Sequence, residues 1–264
     1  MDTATPPLKP TFFARFLVAS LCSFAACAAQ AEEGWAGSLG LSSDYVYRGV
    51  SLSDNKASVQ ADGHYHAGSD WFAGLTAASA ERATDHYSAA AINAYLGQGW
   101  ALGEDWSSSV SLRHYDYAGG EQHTLYRYDE LSASLVWRHN VFLSVAAAPN
   151  VAAPSYYTRT WYYYGKSYVY YYPTGSKRGP GYNYELVLNQ ALPWPSLSVN
   201  AGLGYRDLKN LADVGYAYGS AGLAWSHGTW TLALSRIGSG HDADQLCCGN
   251  PAVNRWVGSA NWSF

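Results

Sequence analysis

No stretch of the chain after Ala31 reaches the run of about eighteen apolar residues that a membrane-crossing helix needs. Instead, segments of roughly ten residues alternate apolar with small or polar side chains, the period of a β-strand. Leu197, Val199, Ala201, Leu203 and Tyr205 interleave with Ser198, Asn200, Gly202 and Gly204. Leu131, Ala133, Leu135 and Trp137 interleave with Ser132, Ser134 and Val136. Tyr182, Tyr184, Leu186 and Leu188, and then Trp230, Leu232 and Leu234, follow the same rule. The last segment puts Trp256, Gly258, Ala260, Trp262 and Phe264 on one face, and Arg255, Val257, Ser259, Asn261 and Ser263 on the other. Such a chain is all-β.

Composition narrows the partners. The 264 residues are 16% aromatic and only 14% charged, which excludes a disordered chain. The net charge of -4 offers no cationic surplus for nucleic-acid phosphates, so no nucleic-acid partner is expected. With 23 Tyr, 26 Gly and one Met, strands and turns outweigh helices.

The N-terminus reads as an export signal. Lys9 and Arg15 precede an apolar run from Phe16 to Ala29, and Ala29-Gln30-Ala31 closes it with small residues around a cleavage point. We therefore expect a cleaved signal peptide over 1–31 and one domain over 32–264. A lipoprotein reading competes, because Phe24-Ala25-Ala26 precedes Cys27. Cys22 and Cys27 fall in the signal, and the adjacent Cys247 and Cys248 make no disulfide framework.

Twelve strands are predicted, over 34–48, 56–66, 70–80, 86–97, 106–117, 127–138, 140–149, 181–190, 196–206, 216–226, 229–237 and 255–264. Their connections tend to alternate short and long, the layout of a transmembrane antiparallel β-barrel. Aromatic placement separates that barrel from a soluble sandwich. Trp35, Trp71, Trp100, Trp106, Trp137, Trp194, Trp225, Trp230 and Trp262 all fall near the short-turn rim. The opposite strand ends carry Tyr45, Tyr47, Tyr87, Tyr115, Tyr117, Tyr126, Tyr128, Tyr182, Tyr184, Tyr205, Tyr216 and Tyr218. Together these read as two aromatic girdles at two membrane borders. The inward face carries Asp44, Arg48, Asp62, Arg113, Glu130, Glu185, Arg206 and Arg255 as pore-lining candidates, four of each sign. Arg127, Asp129 and Arg236 point outward near the long-loop rim.

The segment Ser43-Asp44-Tyr45-Val46-Tyr47-Arg48-Gly49-Val50-Ser51 resembles the opening motif of the TorF family, proteobacterial outer-membrane proteins held to be porins. The resemblance continues through Ser53-Asp54, Ser58-Val59-Gln60, Trp71-Phe72-Ala73-Gly74 and Tyr128-Asp129-Glu130-Leu131. It ends on Trp262-Ser263-Phe264, where Phe264 looks like the terminal signal read by the barrel-assembly machinery. The resemblance implies an outer-membrane barrel with a pore and no catalytic residues. Leu52, Ala61-Asp62 and the long segment 150–180 depart from its pattern.

That segment holds nine Tyr and Trp161 between Ser155 and Tyr172, with Arg159, Lys166, Lys177 and Arg178 and no acid. It reads as a hairpin turning at Gly165-Lys166, and also as an external surface for lipopolysaccharide; if both arms entered the wall, the barrel would have fourteen strands. Asp44 and Arg48, four apart, are expected on one strand face, as an ion pair or as part of a constriction. His64 and His66 share a face, and His241, Asp242, Asp244, Cys247 and Cys248 cluster, but the spacing fits no zinc motif, so no metal and no cofactor are expected. The expected function is a passive channel for small hydrophilic solutes across a Gram-negative outer membrane, in contact with its lipid and lipopolysaccharide, with a homo-oligomer left open. The alternatives are a non-conducting structural or adhesive barrel and, further off, an outer-membrane hydrolase; no nucleophile motif supports the last.

Overall fold

The computed structural model describes residues 33–81, 88–118, 127–246 and 253–264. The signal segment, Tyr87, Tyr126, Cys247 and Cys248 lie outside them. The described residues form fourteen β-strands, in chain order β1 (Gly34–Ser42), β2 (Val46–Tyr47), β3 (Val50–Ser51), β4 (Ser58–His66), β5 (Trp71–Glu81), β6 (Ser88–Ala101), β7 (Trp106–Ala118), β8 (Tyr128–Trp137), β9 (Val141–Tyr163), β10 (Lys166–Ala191), β11 (Leu197–Leu208), β12 (Val214–His227), β13 (Trp230–Ser239) and β14 (Asn254–Ser263). One helical turn, α1 (Lys209–Ala212), and a 3-10 turn at His241–Leu246 sit on the long-loop side.

Twelve strands close into a single antiparallel barrel, each paired with its chain neighbour, and β1 meets β14 to complete the ring. The closing register runs from Ser38↔Ser263 to Ser42↔Ser259. Phe264 extends it: its backbone N–H donates to the Gly37 carbonyl at 3.0 Å, and the Gly37 N–H donates back at 2.9 Å. A side chain at Gly37 would meet the Phe264 ring at 3.0 Å, so glycine lets that ring lie against the seam. Closure leaves no unpaired strand edge in the wall, the condition for crossing hydrocarbon.

The alternation read from the sequence sorts the two faces. Leu39, Leu41, Leu75, Leu96, Leu112, Leu131, Leu203, Leu232 and Leu234 are exposed on the outside, and the nine rim tryptophans are exposed with them. The interior face mixes Ser, Asn, Gly and charged residues with tyrosines and a few aliphatic side chains, and hydroxyl pairs such as Ser109–Ser134 at 2.7 Å and Ser111–Ser132 at 2.8 Å bridge adjacent strands. The fold is inverted relative to a soluble protein, greasy outside and polar within.

Two expectations are corrected, and the hairpin reading of segment 150–180 is borne out. The first predicted strand, 34–48, ends at Ser42 and not at Arg48; the chain then turns inward. Segment 140–149 is only the base of β9, which runs on to Tyr163 and pairs with β10 out to Lys166↔Tyr163. These arms extend two existing strands, so the wall has twelve, not fourteen. Finally, the second aromatic girdle is mostly absent. Tyr182 and Tyr184 face outward, but Tyr115, Tyr128, Tyr216 and Tyr218 are buried inside, and Tyr45, Tyr47 and Tyr117 pack there too. The strand period explains this, because Tyr115 and Tyr117 share the phase of inward Arg113, and Tyr128 shares that of Glu130.

Candidate functional site

The interior holds the candidate site, and its main feature is the hairpin of β2 and β3. Val46 pairs with Ser51 and Tyr47 with Val50, around a turn in which Arg48 (φ 51°) and Gly49 (φ 76°) are left-handed. Ser51 and Ser53 hydroxyls donate to Asp44 Oδ1 at 2.6 and 2.9 Å, drawing the chain after Ser42 into a local loop instead of a longer strand.

This hairpin reaches the wall in four directions. Tyr45, like Tyr117, packs on the cluster of Ala78, Ala80 and Ala91. Tyr47 packs among Tyr115, Tyr128, Ala148 and Leu208, its hydroxyl 2.7 Å from that of Tyr115. Val46 meets Ile237, Val253 and Val257, while Val50 meets Val214, Tyr216 and Tyr218. The backbone is tied as well: Glu81 N–H donates to the Leu52 carbonyl at 2.9 Å, and Val253 N–H to that of Gly49 at 3.2 Å. The long-loop half of the lumen is therefore crossed and packed by the chain's own residues.

All eight charges predicted to face inward do lie in the interior, but not as arranged from the sequence. Asp44 and Arg48 belong to the hairpin and do not pair with one another. Arg48 is 2% exposed and grips Glu130 of β8 through Nη1–Oε2 and Nη2–Oε1 contacts of 2.6 and 2.8 Å. Asp44 lies 3.5 Å from Arg255 of β14, which also contacts the Asn55 side chain. Asp62 of β4 accepts from the Tyr95 hydroxyl at 3.0 Å and lies 2.5 Å from His64 Nδ1. Arg113 of β7 lies over the Tyr95 and Tyr115 rings, at 5.1 and 5.8 Å from their centres. Glu185 of β10 accepts from the Tyr218 hydroxyl at 2.6 Å. Arg206 is half-buried opposite Asn183 in the β10–β11 register. Interior tyrosines, not expected from the sequence, hold Asp62 and Glu185 in place and stack as a pair at Tyr115–Tyr128, 4.3 Å apart.

The outward charges behave as rim residues. Asp129 lies 2.6 Å from His114 Nδ1, Arg127 pairs with Asp116 at 3.4 Å, and exposed Arg236 donates to Asn254.

Residues 27–264 match the family Gcw_chp, described as a bacterial protein of unknown function. The chain belongs to the Gcw_chp family. No curated protein matches this Gcw_chp chain. Among solved structures it is similar to the KdgM porin, with 6% identity over 87% of this chain and 99% of that one at a TM-score of 0.50. The NanC porin is similar to the same degree, with 7% identity over 87% and 98% and a TM-score of 0.50. At such identities the Gcw_chp chain shares with these porins a fold, the closed twelve-stranded barrel.

Proposed function

We propose that this protein is an outer-membrane channel for small hydrophilic solutes, passive and narrow, with its short turns toward the periplasm and its long loops outside. The observation that carries the reading is the pairing of an apolar exterior with a polar, charged interior in a closed ring. Hydrocarbon can cover such an exterior, and water or solute can wet such an interior. Twelve strands enclose a smaller bore than the sixteen to eighteen of general porins. The hairpin of β2 and β3 narrows it further, and Asp62, Arg113, Glu185 and Arg206 stand beside Arg48–Glu130 and Asp44–Arg255 as the charges a permeating ion meets. The likeness to KdgM and NanC supports the barrel and leaves the solute open. Lipid and lipopolysaccharide are the proposed surroundings, and the Phe264 end is the proposed contact for the barrel-assembly machinery. Planar-bilayer recording on the refolded mature chain tests the channel: stepwise conductance is expected, and a trace no different from an empty membrane overturns it.

One observation favours a second reading. The hairpin touches four sectors of the wall, as a permanent plug would. A non-conducting barrel that presents the β9–β10 hairpin as an adhesive surface follows if conductance is absent even when that plug is removed.

A further inference from the structure

We propose that His64 and His66 form a binding site for a divalent transition-metal ion at the short-turn end of the lumen, with Asp62 as the residue that orients it. Both histidines lie on the inward face of β4, two residues apart on one strand, so their side chains project in the same direction. Their ring centres are 5.0 Å apart. Two imidazoles that bind one ion through nitrogens at ~2.1 Å and a roughly tetrahedral angle have ring centres about 5 Å apart. The pair is thus already spaced to share an ion.

The Asp62 carboxylate supplies the second, independent observation. It is buried, lies 2.5 Å from His64 Nδ1, and is itself fixed by the Tyr95 hydroxyl at 3.0 Å. A carboxylate that accepts a hydrogen bond from Nδ1–H selects the tautomer with a free Nε2 lone pair and fixes the ring plane, the arrangement found behind metal-ligating histidines. Small residues and two aromatic rings flank the pair, with the Phe72 ring centre 6.1 Å from that of His66. The register partners of His64 are Ala36 on β1 and Gly74 on β5, and His66 faces Gly34 and Phe72. The Tyr95 ring lies over Gly74, where any side chain would collide with it, so this glycine allows the Tyr95–Asp62 contact.

Ligand chemistry sets the class of ion. Imidazole nitrogens favour Cu2+, Ni2+ and Zn2+ over Ca2+ and Mg2+, and Cu2+ binds most tightly of the divalent series. Among the described residues, no group of three or more His, Cys, Asp and Glu side chains is placed to hold a metal. The site therefore has two protein ligands, with water completing the shell. That makes it an open, exchangeable site in a water-facing lumen, unlike a closed structural centre.

The test is Cu2+ titration of the tag-free mature chain, refolded in detergent, read by electron paramagnetic resonance. One tightly bound equivalent with nitrogen hyperfine structure from two equatorial imidazoles is expected. His64→Gln and His66→Gln each lower the affinity at least tenfold, and Asp62→Asn lowers it about tenfold through the orientation of His64. His227→Gln, at a ring stacked on Trp225 outside the lumen, leaves it unchanged. A wild-type spectrum with fewer than two coordinated imidazoles overturns the proposal, whether or not the variants fold; so does an affinity that neither lumen substitution moves. The readout is binding and requires no conductance, so a silent channel leaves it standing.

Discussion

Arg48 and Glu130 stand 82 positions apart in the chain and meet through two parallel contacts of 2.6 and 2.8 Å inside the barrel. One partner belongs to a hairpin that could swing into water; the other belongs to a wall strand that cannot. The pair therefore adds a buried ionic tie to the apolar contacts and backbone hydrogen bonds that seat the hairpin.

Removing one partner leaves a buried charge uncompensated, at a cost of about 3–5 kcal/mol unless the hairpin leaves the lumen to escape it. Arg48→Ala is thus expected to lower the temperature at which the barrel loses its compact form on a gel, and to raise single-channel conductance. Replacing both partners with apolar residues, Arg48→Met with Glu130→Leu, restores most of the stability, because neither charge then remains to be solvated. Single and double variants of equal stability would show that the pair holds nothing.

Gly49 gives a second handle on the same device. A methyl group there would lie 2.6 Å from the Tyr218 side chain and 2.8 Å from that of Ser239, at a backbone angle that L-residues rarely adopt. Gly49→Ala should destabilise the seated hairpin by about 1–3 kcal/mol while leaving the wall paired. Raised conductance with an unchanged β-sheet circular dichroism spectrum is the expected pattern.

The wall was legible in the sequence because period-two alternation is forced wherever one face meets lipid and the other does not. Leu131-Ala133-Leu135-Trp137 against Ser132-Ser134 fixes a strand and its facing at once, and the six inward charges of the wall strands followed, whereas Asp44 and Arg48 lie inside by way of the hairpin. The hairpin was not legible as such. Val46, Tyr47 and Arg48 continue the alternation of β1, and it is tertiary contacts, among them the hydrogen bonds of Ser51 and Ser53 to Asp44 and of Leu52 and Ser53 with the Tyr45 backbone, that turn them inward. The tyrosines misled for another reason: an amphipathic ring suits a headgroup layer and a packed polar lumen equally, so residue type could not choose between them. Phase could have done so, since Tyr115 lies two residues from Arg113. The outer arms of β9 and β10 carry aromatics on both faces, so no alternation marks them as strands.

The lipid face is testable by depth. Leu112 is exposed near the middle of β7, and Leu102 is exposed in the turn before it. Leu112→Arg should cost about 2–4 kcal/mol of barrel stability in lipid vesicles, and Leu102→Arg no more than about 1 kcal/mol. Reversible unfolding in denaturant, followed by tryptophan fluorescence, measures both. Equal costs at the two depths would mean that protein, not hydrocarbon, covers Leu112.

The β9–β10 hairpin makes the last prediction. β8 pairs with β9 only from Ala147 downward, and β11 pairs with β10 only from Tyr182 onward. From Ala148 to Tyr163 the outer arms pair solely with one another, and at ~3.3 Å per residue they reach about 50 Å past the last wall pairing. Trp161, Tyr162, Tyr163 and Tyr164 are exposed at the tip, with Arg159 4.5 Å from the Trp161 ring centre. Nothing in the wall rests on the tip, so replacing residues 155–172 with a short turn should leave the unfolding midpoint and the conductance unchanged. Binding of whole cells to surfaces should fall if the exposed aromatic tip is adhesive. Lost conductance after this deletion would instead place the tip within the permeation path, which its exposure contradicts.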